Sequence, residues 1–157
     1  MSSNLQLLSA VAFIAITLVA LKQQKKLCFP IIVIYLCGMF YMLFFIRLPY
    51  SDPRYALRPF RALVKIVAWN DNGLRIQKWA YRGILLNILL FVPFGYLLPQ
   101  STVRANSLWK IMVFGFSFSL VIESAQLITR LGMFDIDDLI NNTIGAVLGW
   151  ICFKRFL

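Results

Sequence analysis

The chain holds six acidic residues in 157, and four of them, Glu123, Asp135, Asp137 and Asp138, fall between positions 123 and 138. Glu123, Gln126 and Arg130 are spaced three and then four apart, which puts them on one side of a helix. Asp138, Asn142, Gly145 and Gly149 repeat that spacing in the next segment, and Asn87 adds an amide in an earlier apolar stretch. Carboxylates and amides gathered this way can accept hydrogen bonds from the hydroxyl, amine or amide groups of a ligand. Glu123 and Asp138 could also divide acid and base roles, if burial raised one pKa while Arg130 kept the other ionised. They are the catalytic candidates. Oxygen ligands from Asp135, Asp138 and Glu123 would suit Mg²⁺, but neither a metal nor a cofactor is assigned. The chain has no histidine, which excludes a Ser-His-Asp triad and a His-based metal centre. Cys28, Cys37 and Cys152 lie far apart in apolar segments without ligand spacing, and read as packing residues.

Each polar residue also has an architectural reading. Asp135, three residues ahead of Asp138, resembles a helix N-cap that accepts orphan amide hydrogens and complements the helix dipole. Asn87 and Asn142 can tie helices together. A glutamate placed well inside an apolar helix needs a partner, and Arg130, Arg82 and Gln126 are the ones available to Glu123.

The elements that must position these residues are membrane helices. The chain is 61% hydrophobic and 14% charged, with mean hydropathy +0.77. Its long apolar runs each approach the roughly 20 residues that cross a bilayer as a helix with its backbone satisfied internally. The expected class is all-α, one domain over 1–157, with five transmembrane segments at 5–21, 27–46, 79–98, 108–128 and 136–153. Pro93 is expected to kink the third. In the long loop, 47–82, Pro59 can start an amphipathic helix with Phe60, Leu63, Val64 and Val67 on one stripe and Arg61 and Lys65 away from it. Such a helix lies in the interface with its basic side on phosphates.

Short Lys/Arg-rich connections stay in the cytoplasm, so the cluster at 22–26, Arg104 with Lys110, and Lys154 with Arg155 place the N-terminus outside and the C-terminus inside. The first segment lacks a preceding positive region and does not read as a cleaved signal. Either orientation brings the 47–82 loop, the start of the third segment, the end of the fourth and the start of the fifth to one membrane face. Arg58 and Arg82, from that loop, join Asn87, Glu123, Gln126, Arg130, Asp135, Asp138 and Asn142 as candidate binding residues. The net charge of +10 does not indicate nucleic acid, because the cations flank apolar segments and meet lipid phosphates first. Membrane lipids, anionic ones foremost, are the expected partners; the sequence does not fix an oligomeric state.

Three blocks, RYALRPF (54–60), NILLFVPFGYLLP (87–99) and ESAQLITRLGMFDIDDLINNTIGAVLGW (123–150), resemble the VanZ-like family. In the first block Leu57-Arg58 stands where the family pattern carries an asparagine. The resemblance implies a multi-pass protein of the bacterial inner membrane, associated with resistance to glycopeptide antibiotics, teicoplanin more than vancomycin. It marks Asn87, Pro93, Gly95, Glu123, Gln126, Arg130, Asp135, Asp138, Asn142, Thr143 and Gly145. Asp137 sits at a more variable position and is expected to be replaceable. Three functions fit: a non-enzymatic protein that binds a lipid headgroup, a lipid-linked wall precursor or a lipoglycopeptide; an intramembrane enzyme using Glu123 and Asp138 on a lipid-linked substrate; and a small proton-coupled transporter or flippase. The reading leans to the first.

Overall fold

The computed structural model of the chain describes residues 28–44, 50–67, 73–102 and 106–156. The segment expected at 5–21 lies outside the described residues. Five helices follow in order: α1 (Cys28–Phe44), α2 (Arg61–Val67), α3 (Gly73–Ser101), α4 (Leu108–Thr129) and α5 (Ile136–Phe156). Two three-residue strands, β1 (Arg54–Ala56) and β2 (Met133–Asp135), pair in parallel, with Arg54 opposite Met133, Tyr55 opposite Phe134 and Ala56 opposite Asp135. The helical class therefore carries one small ribbon, which the all-α expectation lacked.

Among the described residues, two helical stretches, Ala80–Ser101 and Leu108–Thr129, are long and apolar enough to cross a membrane; Phe29–Tyr41 is apolar but shorter. The 22 residues of α4 rise about 33 Å, close to the roughly 30 Å of a bilayer's hydrocarbon core. α3 is longer than the expected segment at both ends and continues through Pro93 and Pro99. Pro93 has no N–H to offer Leu89, and the neighbouring Leu90 carbonyl accepts the hydroxyl of buried Tyr35 from α1.

α3 and α5 make the closest helix contact, and its cause is visible in the sequence. A Cβ at Gly145 would overlap the Ile88 carbonyl, one at Gly149 the Val92 carbonyl, and one at Gly95 the Ala146 carbonyl. The backbones thus touch on both sides of one seam, an approach only small residues permit. Phe91, Phe94 and Phe118 fill the space between α3 and α4, with Phe94 and Phe118 stacked at 5.2 Å. Tyr35, Met39, Leu97 and Ile111 complete the apolar core.

α4 shows which way this bundle faces. Its inward residues include Ser119, Glu123 and Gln126, whereas Val113, Phe114, Phe116, Val121 and Ile128 are exposed. A helix with polar groups inside and large apolar groups outside suits hydrocarbon surroundings. At the far end of α5, the Lys154 ammonium lies 5.8 Å from the Trp150 ring, a pairing typical of a membrane–water boundary.

Candidate functional site

The sequence-marked residues meet where α2, the ribbon, the first half of α3, the end of α4 and the start of α5 come together. The connection starts with α4. It ends at Arg130, which takes a left-handed conformation (φ 58°) and caps the helix through its N–H on the Leu127 carbonyl. The reversal lets β2 run back beside α4, and buried Glu123 accepts the N–H of Asp135 at 3.0 Å. Gln126, also buried, packs against Gly132, where a side chain would collide with its amide. Glu123 and Gln126 therefore fix the 130–135 turn from below. Arg130 turns away from Glu123: its guanidinium donates to the Ser51 carbonyl at 2.9 Å, and its own carbonyl accepts the Tyr50 N–H at 2.8 Å.

The three aspartates that follow have three separate tasks. Asp135 is the N-cap of α5, accepting the Asp137 N–H at 3.0 Å, as the cap reading expects, and its other oxygen takes the Arg61 guanidinium at 2.6 Å. Asp137 is buried and accepts two backbone amides from the start of α2, Phe60 at 2.5 Å and Ala62 at 2.8 Å. Those bonds hold Phe60 at φ 60°, a conformation that costs a non-glycine residue about 1–2 kcal/mol. Asp137, expected from the sequence to be replaceable, has a carboxylate that anchors the start of α2. Asp138 takes the Asn87 amide from α3. One turn further, Asn142 donates to the Ser119 hydroxyl at 2.8 Å and ties α5 to α4, while its own side-chain oxygen is buried with no hydrogen-bond partner among the described residues.

Between these pieces lies a cleft of about 560 Å³. Arg61, Ala62 and Lys65 of α2 form one wall, Asp135, Asp137, Asp138 and Asn141 another, and Ala80, Gly83 and Ile84 of α3 the apolar remainder. α2 accordingly has the expected two faces, with Leu63, Val64 and Val67 exposed. Its basic residues Arg61 and Lys65 line the cleft, and Arg61 pairs with Asp135.

Not every candidate reaches the cleft. Asp135 and Asp138 line it, while Asn87 stands behind Asp138. Glu123, Gln126 and Asn142 are buried between α4, α5 and the turn and do not line it. Arg58 is exposed in the loop before α2, and Arg82 is half-buried on α3; neither is part of the lining. Among the described residues, no three Asp, Glu, Cys or His side chains are grouped as a metal would require. Arg61, Lys65, Asp137, Asn141 and Ser119 were missed as site residues. Helical spacing could have found Ser119, four before Glu123, and Asn141, three after Asp138. Asp137 has no such signal, because its partners are backbone amides of a distant segment.

Residues 32–157 match the family described as VanZ/LLP1. The chain is also similar to a curated relative, Protein VanZ of Enterococcus faecium, at 38% identity over 69 residues. That stretch covers 44% of this chain and 42% of the relative. No solved structure matches the chain. The family match takes in all of the described helices but the first turn of α1, and the chain belongs to the VanZ/LLP1 family.

Proposed function

We propose that this VanZ/LLP1 protein resides in the bacterial cytoplasmic membrane, crosses it several times, and binds the polar part of an amphipathic envelope molecule in the cleft beneath α2. A lipid headgroup, a lipid-linked wall precursor and a lipoglycopeptide share the required chemistry, and the family association gives the expected outcome, resistance of the teicoplanin type. The cleft itself carries the reading. Its volume lies within the roughly 300–1,000 Å³ of small-molecule sites, and it offers convergent polar groups above an apolar floor. Lys65 extends an ammonium toward phosphate or carboxylate, and Arg61 adds guanidinium hydrogens. Asp138 and Asn141 can accept from hydroxyl or amine donors, and Ala80, Gly83 and Ile84 suit the less polar atoms between them.

The 47–82 side is taken as the outer face, so the cleft opens toward the cell wall, with the N-terminus outside and the C-terminus inside. The outward apolar stripe of α2 would rest in the headgroup boundary and keep the cleft mouth at the level where lipid headgroups lie. Binding is favoured over catalysis by a paired Glu123 and Asp138. Asp138 borders the cleft and holds Asn87, whereas Glu123 is buried away from it and holds the β2 backbone.

The test is a comparison of wild type with Lys65→Glu and Asp138→Asn in a susceptible host. Membrane abundance, teicoplanin susceptibility and the lipids retained on purification are read together. Lys65 is exposed, so its reversal should leave abundance unchanged, remove most of the protection and deplete retained anionic lipid. Unchanged susceptibility and lipid content in both variants would refute a ligand site in the cleft.

A further inference from the structure

A second hollow lies on the other side of the bundle, between α1 and α4, and none of the residues in the cleft contributes to it. It encloses about 540 Å³ and is lined by Leu36, Met39, Phe40 and Phe44 of α1 and by Phe118, Val121, Ile122 and Ala125 of α4, with Cys37 and Tyr41 at its sides. Met39, Phe44 and Ile122 form a buried floor, while Phe40, Tyr41 and Val121 stand up as exposed walls. From Leu36 to Phe44 the hollow follows about 12 Å of helix. Its lining is apolar except for the Cys37 thiol and the Tyr41 hydroxyl, which suits a hydrocarbon chain.

Its upper end is cationic. Arg130, the residue that caps α4, lies five residues beyond Ala125, about 7–8 Å further in the direction of the helix axis. Its carbonyl accepts the Tyr50 N–H. Arg54 stands 4.2 Å over the Tyr50 ring. Neither guanidinium is salt-bridged to a carboxylate among the described residues. The nearby Asp52 instead accepts the Ser51 hydroxyl at 3.1 Å.

We propose that this groove is an acyl-chain site, and that its ligand is an anionic amphiphile whose chain lies between α1 and α4 while its negative headgroup meets Arg130 and Arg54. The apolar trough supplies general affinity for a chain, and the arginine pair selects the headgroup charge. Anionic glycerophospholipid is the abundant molecule of this description in a membrane. The site is independent of the cleft beneath α2 and stands whether or not that cleft binds anything.

Photo-crosslinking in bilayers tests it, using the full chain reconstituted with phosphatidylglycerol or with phosphatidylcholine that carries a diazirine in one acyl chain. Adducts mapped by mass spectrometry should concentrate on 36–44 and 118–125, several-fold above Val113 and Phe116, which are exposed on α4 outside the groove. Phosphatidylglycerol should label more than phosphatidylcholine. Arg54→Gln with Arg130→Gln should erase that preference while leaving groove labelling in place. Ala125→Trp should fill the trough and cut labelling there several-fold, and Val121→Trp provides the same obstruction from the wall if the first variant does not fold. Lys65→Glu should change none of this, which separates the two sites. Labelling equal to that at Val113 and Phe116 would overturn the proposal. So would a disulfide trapped between Val121→Cys and a cysteine placed within residues 5–21 or in a second copy, or a headgroup preference that survives loss of both arginines.

Discussion

The seam between α3 and α5 and the polar end around α2 are held by opposite means. At the seam, Gly95, Gly145 and Gly149 bring two backbones into contact, and shape alone decides the fit. At the polar end, a short helix is suspended from two carboxylates by directional bonds, Asp137 to two amides and Asp135 to Arg61. The seam tolerates no added atom; the polar end tolerates no lost acceptor. A cleft needs walls that stay in place around an open space, and close packing would have filled it. Hydrogen bonds that Asp137 and Asp135 accept from Phe60, Arg61 and Ala62 hold α2 at a distance that packing would have closed.

The comparison predicts its own largest failure at the seam. Gly149→Val places a branched side chain against the Val92 carbonyl and the Tyr96 backbone, where no rotamer change relieves the overlap. Folded protein should be lost from membranes, beyond the roughly 1–3 kcal/mol of ordinary overpacking. Gly83→Ala, on the same α3 but with open space around it, should be tolerated or gain up to about 1 kcal/mol from helix propensity. Immunoblotting of membrane fractions together with thermal melting distinguishes them; equal losses would deny that the contact at Gly149 is special.

An intermediate effect is expected at Asp137. Asp137→Ala leaves the amides of Phe60 and Ala62 without their acceptor, at about 1–3 kcal/mol for each buried group left unpaired. The loss should be local. Trypsin should begin to cut at Arg61 and Lys65 while α3 to α5 melt only a little earlier, and Asp137→Asn, which keeps one acceptor oxygen, should fall between. If the whole bundle melts with α2, the two regions are one cooperative unit.

The smallest stability effect belongs to Arg61. Its side chain is 38% exposed, so Arg61→Ala should cost less than about 1 kcal/mol by thermal melting despite the short bond to Asp135. A larger loss would mean that α2 hangs on the ion pair more than on Asp137.

The seam was legible in the sequence and the suspension was not. Gly145 and Gly149, four apart on one helix face, are the kind of local signal that marks a close helix approach, and the apolar runs at 27–46, 79–98, 108–128 and 136–153 correspond to α1, α3, α4 and α5 with ends that differ by up to six residues. Helix periodicity and small-residue spacing are local signals, so they survive in one dimension. The amphipathic stretch after Pro59 was likewise readable as a short helix with two faces. Arg61 was read as a lipid contact because nothing local tells a cation whether its nearest anion is a phosphate or an aspartate 74 positions away. The ribbon was invisible for the same reason: three residues such as Arg54–Ala56 carry no strand pattern of their own, and their partner is set by tertiary placement. Asp137 was passed over because a carboxylate that accepts backbone amides leaves no mark in the sequence of its partner. Glu123 was recognised as needing a partner, and it accepts the Asp135 amide, a backbone group that side-chain spacing does not reveal, while the Arg130 guanidinium donates to the Ser51 carbonyl.

The parallel ribbon also sets an order of events during biosynthesis. β1 cannot pair until β2 exists, and the two are separated by about eighty residues that include both long membrane-competent helices. Closing so large a loop early would be entropically unfavourable and slow, whereas α3 and α4 can bring the two strands together once they are formed side by side. The ribbon, the attachment of α2 and the cleft therefore arise together at the end of folding. A nascent chain that stops before Met133 would carry α1 to α4 but lack the second strand, the carboxylates that anchor α2 and one whole wall of the cleft beneath it.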